Sequence, residues 1–326
     1  MKTLFIYGST GDLVKRKVIP ALQKINIKVQ IFALGRKNLE NKEYQEIVCE
    51  GKCSSNFKER INYYENSLER QKCETCDDLL DRKKTNFFYI SLPPKMIRNA
   101  LTQIIAIKEK GFKVKILIEK PFGENLEDAK NLEKFIIKNN LKKEVLLSDH
   151  YLFKKGIIRL KPKKFKKLKI VSLEKVGLEG RAGYYDEIGA LKDMVQSHFL
   201  NILFKIFPGI KKERIELKEI IRKRYKDYEK ELGKKSNTET YVKIRLIIEN
   251  KEIEFETGKK FEDKESYIQI DRKKIELKEE NSYEQVFKDF FRRKEKNFPK
   301  IKQAIENWKI TEMIEKQMKK EELTKY

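Results

Sequence analysis

Five short apolar runs, Thr3 to Tyr7, Val29 to Leu34, Phe87 to Leu92, Val114 to Glu119 and Val145 to Ser148, recur with helical patterns between them. Strands that alternate with helices need crossover connections, and the stable arrangement is a parallel sheet with helices packed on both faces. The first run ends in Gly8-Ser9-Thr10-Gly11-Asp12-Leu13, set between a strand and a helix. A glycine turn at that place lets the main chain approach a pyrophosphate closely and aims free N–H groups at it. The third glycine of the usual dinucleotide fingerprint is absent, so position rather than pattern carries the expectation. Pro20 falls in the following helix, which it should kink or end by removing a donor.

The ends of two further strands narrow the ligand. An NAD-binding unit usually places an acidic residue after its second strand to accept from the ribose hydroxyls, whereas here the chain reads Leu34-Gly35-Arg36-Lys37. A cation there favours a 2′-phosphate; the alternative is a solvated loop arginine. At Ile118-Glu119-Lys120-Pro121-Phe122-Gly123 a strand stops at a proline that biases Lys120 to an extended conformation. Open parallel sheets bind ligands beyond the carboxyl ends of their strands, which is where Lys120 stands.

From about Asp149 the pattern changes to strands without long helices between them, Leu168 to Glu174, Tyr241 to Ile248, Glu252 to Glu256 and Tyr267 to Ile270. These predict an antiparallel sheet. The expected fold is therefore α/β plus α+β: a Rossmann-type domain over residues 1–148 and a larger-sheet α+β domain over 149–326. A helical stretch from about Glu187 to Phe207 places Leu191, Val195, His198 and Ile202 on one stripe.

The chain has only two histidines, in Ser148-Asp149-His150-Tyr151-Leu152 and in Asp193-Met194-Val195-Gln196-Ser197-His198. Imidazoles titrate near neutral pH without large perturbation, so these two are the candidates for acid-base work, with nearby carboxylates as orienting partners. On its apolar stripe His198 reads by position alone as a satisfied core histidine. Asp193, five residues earlier, lies about 140° away around a regular α-helix and need not be its partner.

With 75 Lys+Arg against 51 Asp+Glu the net charge is +24, compatible with a polyanion or a phosphorylated small substrate. Lysine is interleaved with glutamate almost everywhere, which favours mixed-sign solvated faces over a nucleic-acid surface. Met1 to Tyr7 is already strand-like, no segment has the apolar length of a membrane helix, and a cytoplasmic protein is expected. Cys49, Cys53, Cys73 and Cys76 are then expected as reduced thiols; their spacing would also suit zinc, against an otherwise ordinary Lys/Glu-rich helical stretch.

Taken in order, the glycine turn with Pro20, Phe88-Tyr89-Ile90-Ser91-Leu92-Pro93-Pro94, Glu119-Lys120-Pro121-Phe122-Gly123, Asp149-His150-Tyr151-Leu152, and Gly180-Arg181-Ala182-Gly183-Tyr184-Tyr185-Asp186-Glu187 before Asp193 and His198 resemble the glucose-6-phosphate dehydrogenase family. The resemblance continues through Gly258-Lys259-Lys260, Tyr283-Glu284 and Asn307-Trp308-Lys309. It implies oxidation of glucose 6-phosphate to the lactone with NADP+. His198 would be the general base and Asp149 would support its imidazolium. His150, Tyr151 and Lys154 would bind the phosphate, with Lys259 and Lys264 nearby, while Glu174, Asp193 and Lys120 would fix the sugar hydroxyls. The cofactor would lie on Gly8, Ser9, Thr10, Gly11, Asp12 and Leu13 and meet Arg36, Tyr89 and Lys120. No metal is implied, and a homodimer is expected.

Two departures stand out. Phe153 occupies a position where the family has glycine, and Lys155 to Leu173 is much shorter than the corresponding segment. A catalytically altered homologue and a related sugar oxidoreductase are the alternatives; the latter gives no reason for the Asp149-His150-Tyr151-Lys154 phrase. A nucleic-acid binder would explain Lys161 to Lys169 but leaves the histidine motifs unaccounted for.

Overall fold

The computed structural model describes residues 1–70, 76–178, 182–278 and 282–326. The chain divides into two compact units, Met1–Phe153 with Asn281–Ile301, and Lys154–Glu280 with Lys302–Tyr326. The return of the 281–301 segment to the first unit is invisible to a linear reading of the domains.

The first unit holds a six-stranded sheet in the order β3-β2-β1-β4-β5-β6, all neighbours parallel. Its strands are β1 (Lys2–Tyr7), β2 (Val29–Gly35), β3 (Ile61–Glu65), β4 (Thr85–Ile90), β5 (Lys113–Ile118) and β6 (Val145–Leu147). Strand order reverses between β1 and β4, the switch point that opens a crevice at the carboxyl ends of both strands. Five strands fall on the apolar runs; β3, written Ile61-Asn62-Tyr63-Tyr64-Glu65, is too short and polar to announce itself. Aromatic stacking across the sheet fixes the core, with Phe5 and Phe88 ring centroids 5.0 Å apart. Phe87 meets Phe290 and Phe291 edge-on, tying the Ser282–Phe291 helix to the sheet.

Pro20 neither ends nor simply interrupts its helix. The turn after the glycine loop is a π-helix over Val14–Val18, and Pro20 stands in the first turn of the α-helix Ile19–Lys24, where a missing N–H is tolerated. The thiol expectation is overturned: Cys49 and Cys53 are joined by a disulfide, and Cys76 is also disulfide-bonded. A bonded Cys49–Cys53 pair has no thiolate to offer zinc. Cys73 lies outside the described residues.

The second unit holds a seven-stranded sheet in the order β12-β11-β7-β10-β9-β8-β13. Its strands are β7 (Lys167–Leu173), β8 (Ile215–Arg224), β9 (Tyr241–Ile248), β10 (Lys251–Gly258), β11 (Glu265–Ile270), β12 (Lys273–Glu276) and β13 (Leu323–Lys325). The sheet is mixed rather than purely antiparallel, because β10 runs parallel to β7 and β13 parallel to β8. The basic run before and within β7 is partly neutralised by that pairing. Lys167 meets Glu252 at 2.8 Å, and Lys169 meets Glu254 at 2.9 Å and Glu256 at 3.1 Å. No described helix is long and apolar enough to cross a membrane.

Candidate active site

The glycine turn is defined by its backbone. Gly8 has φ +75°, and an added Cβ would stand 2.1 Å from the Ser91 carbonyl oxygen. Only glycine tolerates both the left-handed conformation and that approach. Ser9 is fully buried and its N–H donates to the Leu34 carbonyl at 3.3 Å, while Gly11 N–H donates to Gly8 at 3.0 Å. The turn thereby closes on itself and leads into the helix that begins near Leu13, with Asp12 held by Arg16 at 3.0 Å. This tight turn between β1 and β4, bare of a side chain at Gly8 and Gly11, suits a pyrophosphate. Arg36 is exposed just beyond β2, and the Tyr63 hydroxyl, donating to the Lys37 carbonyl at 2.6 Å, pins the loop that carries it.

At the end of β5 a buried carboxylate organises the next loop. Glu119 accepts from the Tyr89 hydroxyl and from the Ser148 hydroxyl, each at 2.7 Å, and from the Lys120 N–H at 3.3 Å. Burial pushes its pKa up, with the Ser148, Tyr89 and Lys120 donors opposing. Tyr89, expected beside the cofactor, is fully buried, and its hydroxyl is occupied by Glu119. Its place is under the Lys120 turn, where Lys120-Pro121 is a cis peptide. Tyr283 reaches the same carboxylate and stacks on His150, ring centroids 5.2 Å apart at 18°. Asp149 is buried and its Oδ1 accepts from the Tyr151 N–H at 3.0 Å, which fixes the Asp149-His150-Tyr151 turn. Phe153, a departure from the family pattern, is a packing residue against Phe298 at 4.8 Å.

The second unit brings the substrate candidates Glu174, Asp193 and Lys259 together. β7 and β10 are parallel and in register to Leu173 and Gly258, so Glu174 and Lys259 leave the sheet side by side. The Lys259 ammonium lies 2.5 Å from Glu174 and 3.9 Å from Asp193, over the Tyr185 ring at 5.6 Å. Lys154 is buried at the start of the short helix Lys155–Ile158, and Lys264 is exposed in the loop after β10.

His198 is buried on a segment that is not α-helical. Leu191–Phe199 is a π-helix, continued by the α-helix Leu200–Ile206. In a helix bonded i to i+5, residues five apart lie about one turn apart. Asp193 and His198 are therefore nearer to one face than the regular period predicts, and the 140° separation is corrected. Glu239, which no motif marks, secures the start of this helix. Its carboxylate accepts from the Leu191 N–H at 3.0 Å, and burial raises its pKa. Asp186, in the tyrosine-rich phrase, is structural: Tyr228 donates to it at 2.9 Å and Lys234 pairs with it at 3.2 Å. Gly180 and Arg181 lie outside the described residues.

A family model for the glucose-6-phosphate dehydrogenase NAD binding domain matches residues 5–158, and one for the C-terminal domain of the same family matches 160–207. The chain belongs to the glucose-6-phosphate dehydrogenase family. Its similar relatives include glucose-6-phosphate 1-dehydrogenase of Helicobacter pylori strain J99, 28% identical over 291 residues, spanning 76% of this chain and 68% of the relative. The enzyme of the same name from Buchnera aphidicola subsp. Schizaphis graminum is 28% identical over 344 residues, spanning 83% and 70%. Among solved structures, a glucose-6-phosphate dehydrogenase in complex with glucose 6-phosphate superposes with TM-score 0.81 at 18% identity, covering 100% of this chain and 94% of that one. The Mycobacterium avium glucose-6-phosphate 1-dehydrogenase gives TM-score 0.78 at 18% identity, covering 100% and 93%. At that identity the structures speak to the fold, and the family assignment rests on the sequence models.

Proposed function

We propose that this glucose-6-phosphate dehydrogenase family member oxidises glucose 6-phosphate at C1 to the 6-phosphogluconolactone, with NADP+ as the oxidant. His198 carries the reading: one of two histidines in the chain, it is buried on the π-helix and lies inside the segment matched by the family's C-terminal domain. A bound nicotinamide dinucleotide supplies the hydride acceptor. His198 takes the proton of the C1 hydroxyl as the C1 hydrogen leaves with its electron pair, and Asp149 is assigned the orientation of that imidazole and the support of its charge. His150, Tyr151 and Lys154, with Lys259 and Lys264, bind the phosphate dianion through charge-assisted hydrogen bonds. Glu174, Asp193 and Lys120 hold the sugar hydroxyls. The Gly8-Ser9-Thr10-Gly11-Asp12-Leu13 ledge holds the pyrophosphate, and Arg36 recognises the 2′-phosphate. A cytoplasmic homodimer is part of the same reading.

Reduced-dinucleotide formation on adding glucose 6-phosphate tests the activity directly. His198→Asn should lower kcat on the order of 10²-fold or more while leaving substrate binding largely intact. Retention of more than about a tenth of wild-type kcat would remove His198 from the base role. Arg36→Ala should weaken NADP+ much more than NAD+, because a guanidinium recognises a phosphate that only the former carries. Equal losses would return Arg36 to the solvated loop.

A further inference from the structure

The main chain beneath Lys259 is held by a residue that belongs to no motif. Lys259 follows β10, and the next residue, Lys260, is in the left-handed region at φ +61°. The Lys259 N–H donates to the Thr240 carbonyl at 3.1 Å, and its own carbonyl accepts from the Tyr326 hydroxyl. That hydroxyl also stands 3.2 Å from the Thr240 hydroxyl. Tyr326 is itself placed by backbone on both sides. It follows β13, its N–H donates to the Arg224 carbonyl at 3.1 Å, and its carbonyl accepts from the Lys226 N–H at 3.0 Å. Its ring packs against Phe261 at 5.0 Å and Tyr241 at 6.0 Å, the two side chains that flank Gly258. Burial raises the phenol to about 12, so it remains a neutral donor through the working pH range.

A lysine ammonium on a four-carbon stem has much rotamer freedom, and its aim depends on a fixed root. We propose that Tyr326 is a positioning residue for Lys259, its hydroxyl anchoring the Lys259 carbonyl so that the ammonium stays beside Glu174 and Asp193, ready for the anionic end of the substrate. This rests on the assignment of Lys259 to glucose 6-phosphate.

Tyr326→Phe removes the hydroxyl and keeps the ring packing. Losing one neutral hydrogen bond that acts only through Lys259 should raise KM for glucose 6-phosphate roughly 3- to 10-fold. KM for the dinucleotide, kcat and the melting temperature should hold. In a Lys259→Ala background the same substitution should add nothing, as expected when two residues act as one unit. Hydrogen exchange of the backbone amides at residues 258–262 should speed up in Tyr326→Phe while other segments are unchanged, a readout that does not need turnover. Unchanged exchange in that segment, or an effect that adds fully to Lys259→Ala, overturns the proposal; so does a parallel rise in both KM values with a lower melting temperature, which marks a general structural role. If the wild-type protein fails to oxidise glucose 6-phosphate, the functional reading falls, and exchange still decides whether Tyr326 holds the turn.

Discussion

Two loops leave the carboxyl ends of strands in this molecule, and they are held by opposite means. The turn after β1 is fixed by backbone: Gly8 sits at φ +75° against the Ser91 carbonyl, and Gly11 closes the turn on Gly8. The turn after β10 is fixed by side chains, with the Lys259 ammonium reaching Glu174, 85 residues earlier, and the Lys259 carbonyl receiving the Tyr326 hydroxyl from 67 residues later. The first depends on what the backbone at one glycine can do, and the second on an ammonium, a carboxylate and a hydroxyl that must be brought together. The two should therefore fail differently when perturbed.

The largest effect is expected at Gly8. Gly8→Ala forces a Cβ into the Ser91 carbonyl at a positive φ, which combines left-handed strain with overpacking and should cost about 2–4 kcal/mol. The melting temperature should fall and KM for the dinucleotide should rise together. A stable Gly8→Ala protein with normal cofactor affinity would break the claim of backbone control.

Lys259→Ala should act more narrowly. Its environment tolerates the loss of a cation less well than a surface site would, because the Glu174 and Asp193 carboxylates both face that ammonium. KM for glucose 6-phosphate should rise about tenfold, from the loss of one charge-assisted bond of roughly 1.5–3 kcal/mol partly replaced by water, with little change in KM for the dinucleotide. Equal changes for both ligands would erase the contrast between the two loops.

The smallest effect concerns Glu119, which like Lys259 is held by side chains, the Tyr89 and Ser148 hydroxyls. Burial raises its folded-state pKa, so the stability associated with its protonated form is fully present below the unfolded value of about 4.3 and is lost as pH rises through the folded value. Glu119→Gln cannot titrate. The stability of wild type relative to this variant should therefore decline as pH rises from about 4 and then level off. Denaturant unfolding across that range measures the difference, and a flat profile would mean that the carboxyl titrates alike folded and unfolded.

Much of the first unit was legible because its strands are unbroken apolar runs and its loops carry glycine or proline at the points that need them. Arg36 and Lys120 are located by the same logic, since they sit next to strand ends, whereas the His150 turn stands out through the scarcity of histidine. The second unit was read less completely. β8 was missed because its alternation is charged and is broken by a bulge between Leu217 and Glu219, after which Arg222 and Arg224 turn inward. Periodicity of 3.6 cannot reveal a π-helix, so it sets Asp193 too far around the helix from His198. Glu239 and Tyr326 left no local signal at all, because their partners are distant in sequence and no motif joins them. The Cys49–Cys53 disulfide is hidden for a different reason: the spacing allows a bridge, and only the expected compartment speaks against one.

The parallel pairing of β7 with β10 also bears on how such a chain changes over evolutionary time. Leu173 lies opposite Gly258, and the Glu174 N–H donates to the Gly258 carbonyl at 2.9 Å, so the register of two strands brings the roots of Glu174 and Lys259 side by side. The loops between the elements that lie between those strands can lengthen or shorten without disturbing the pair, provided neither strand slips and β9 keeps its pairing with β10. A slip of a single residue would turn every side chain of the slipped strand to the opposite face and separate the charges. Insertions and deletions should therefore accumulate in the connections, while β7 and β10 keep their phase.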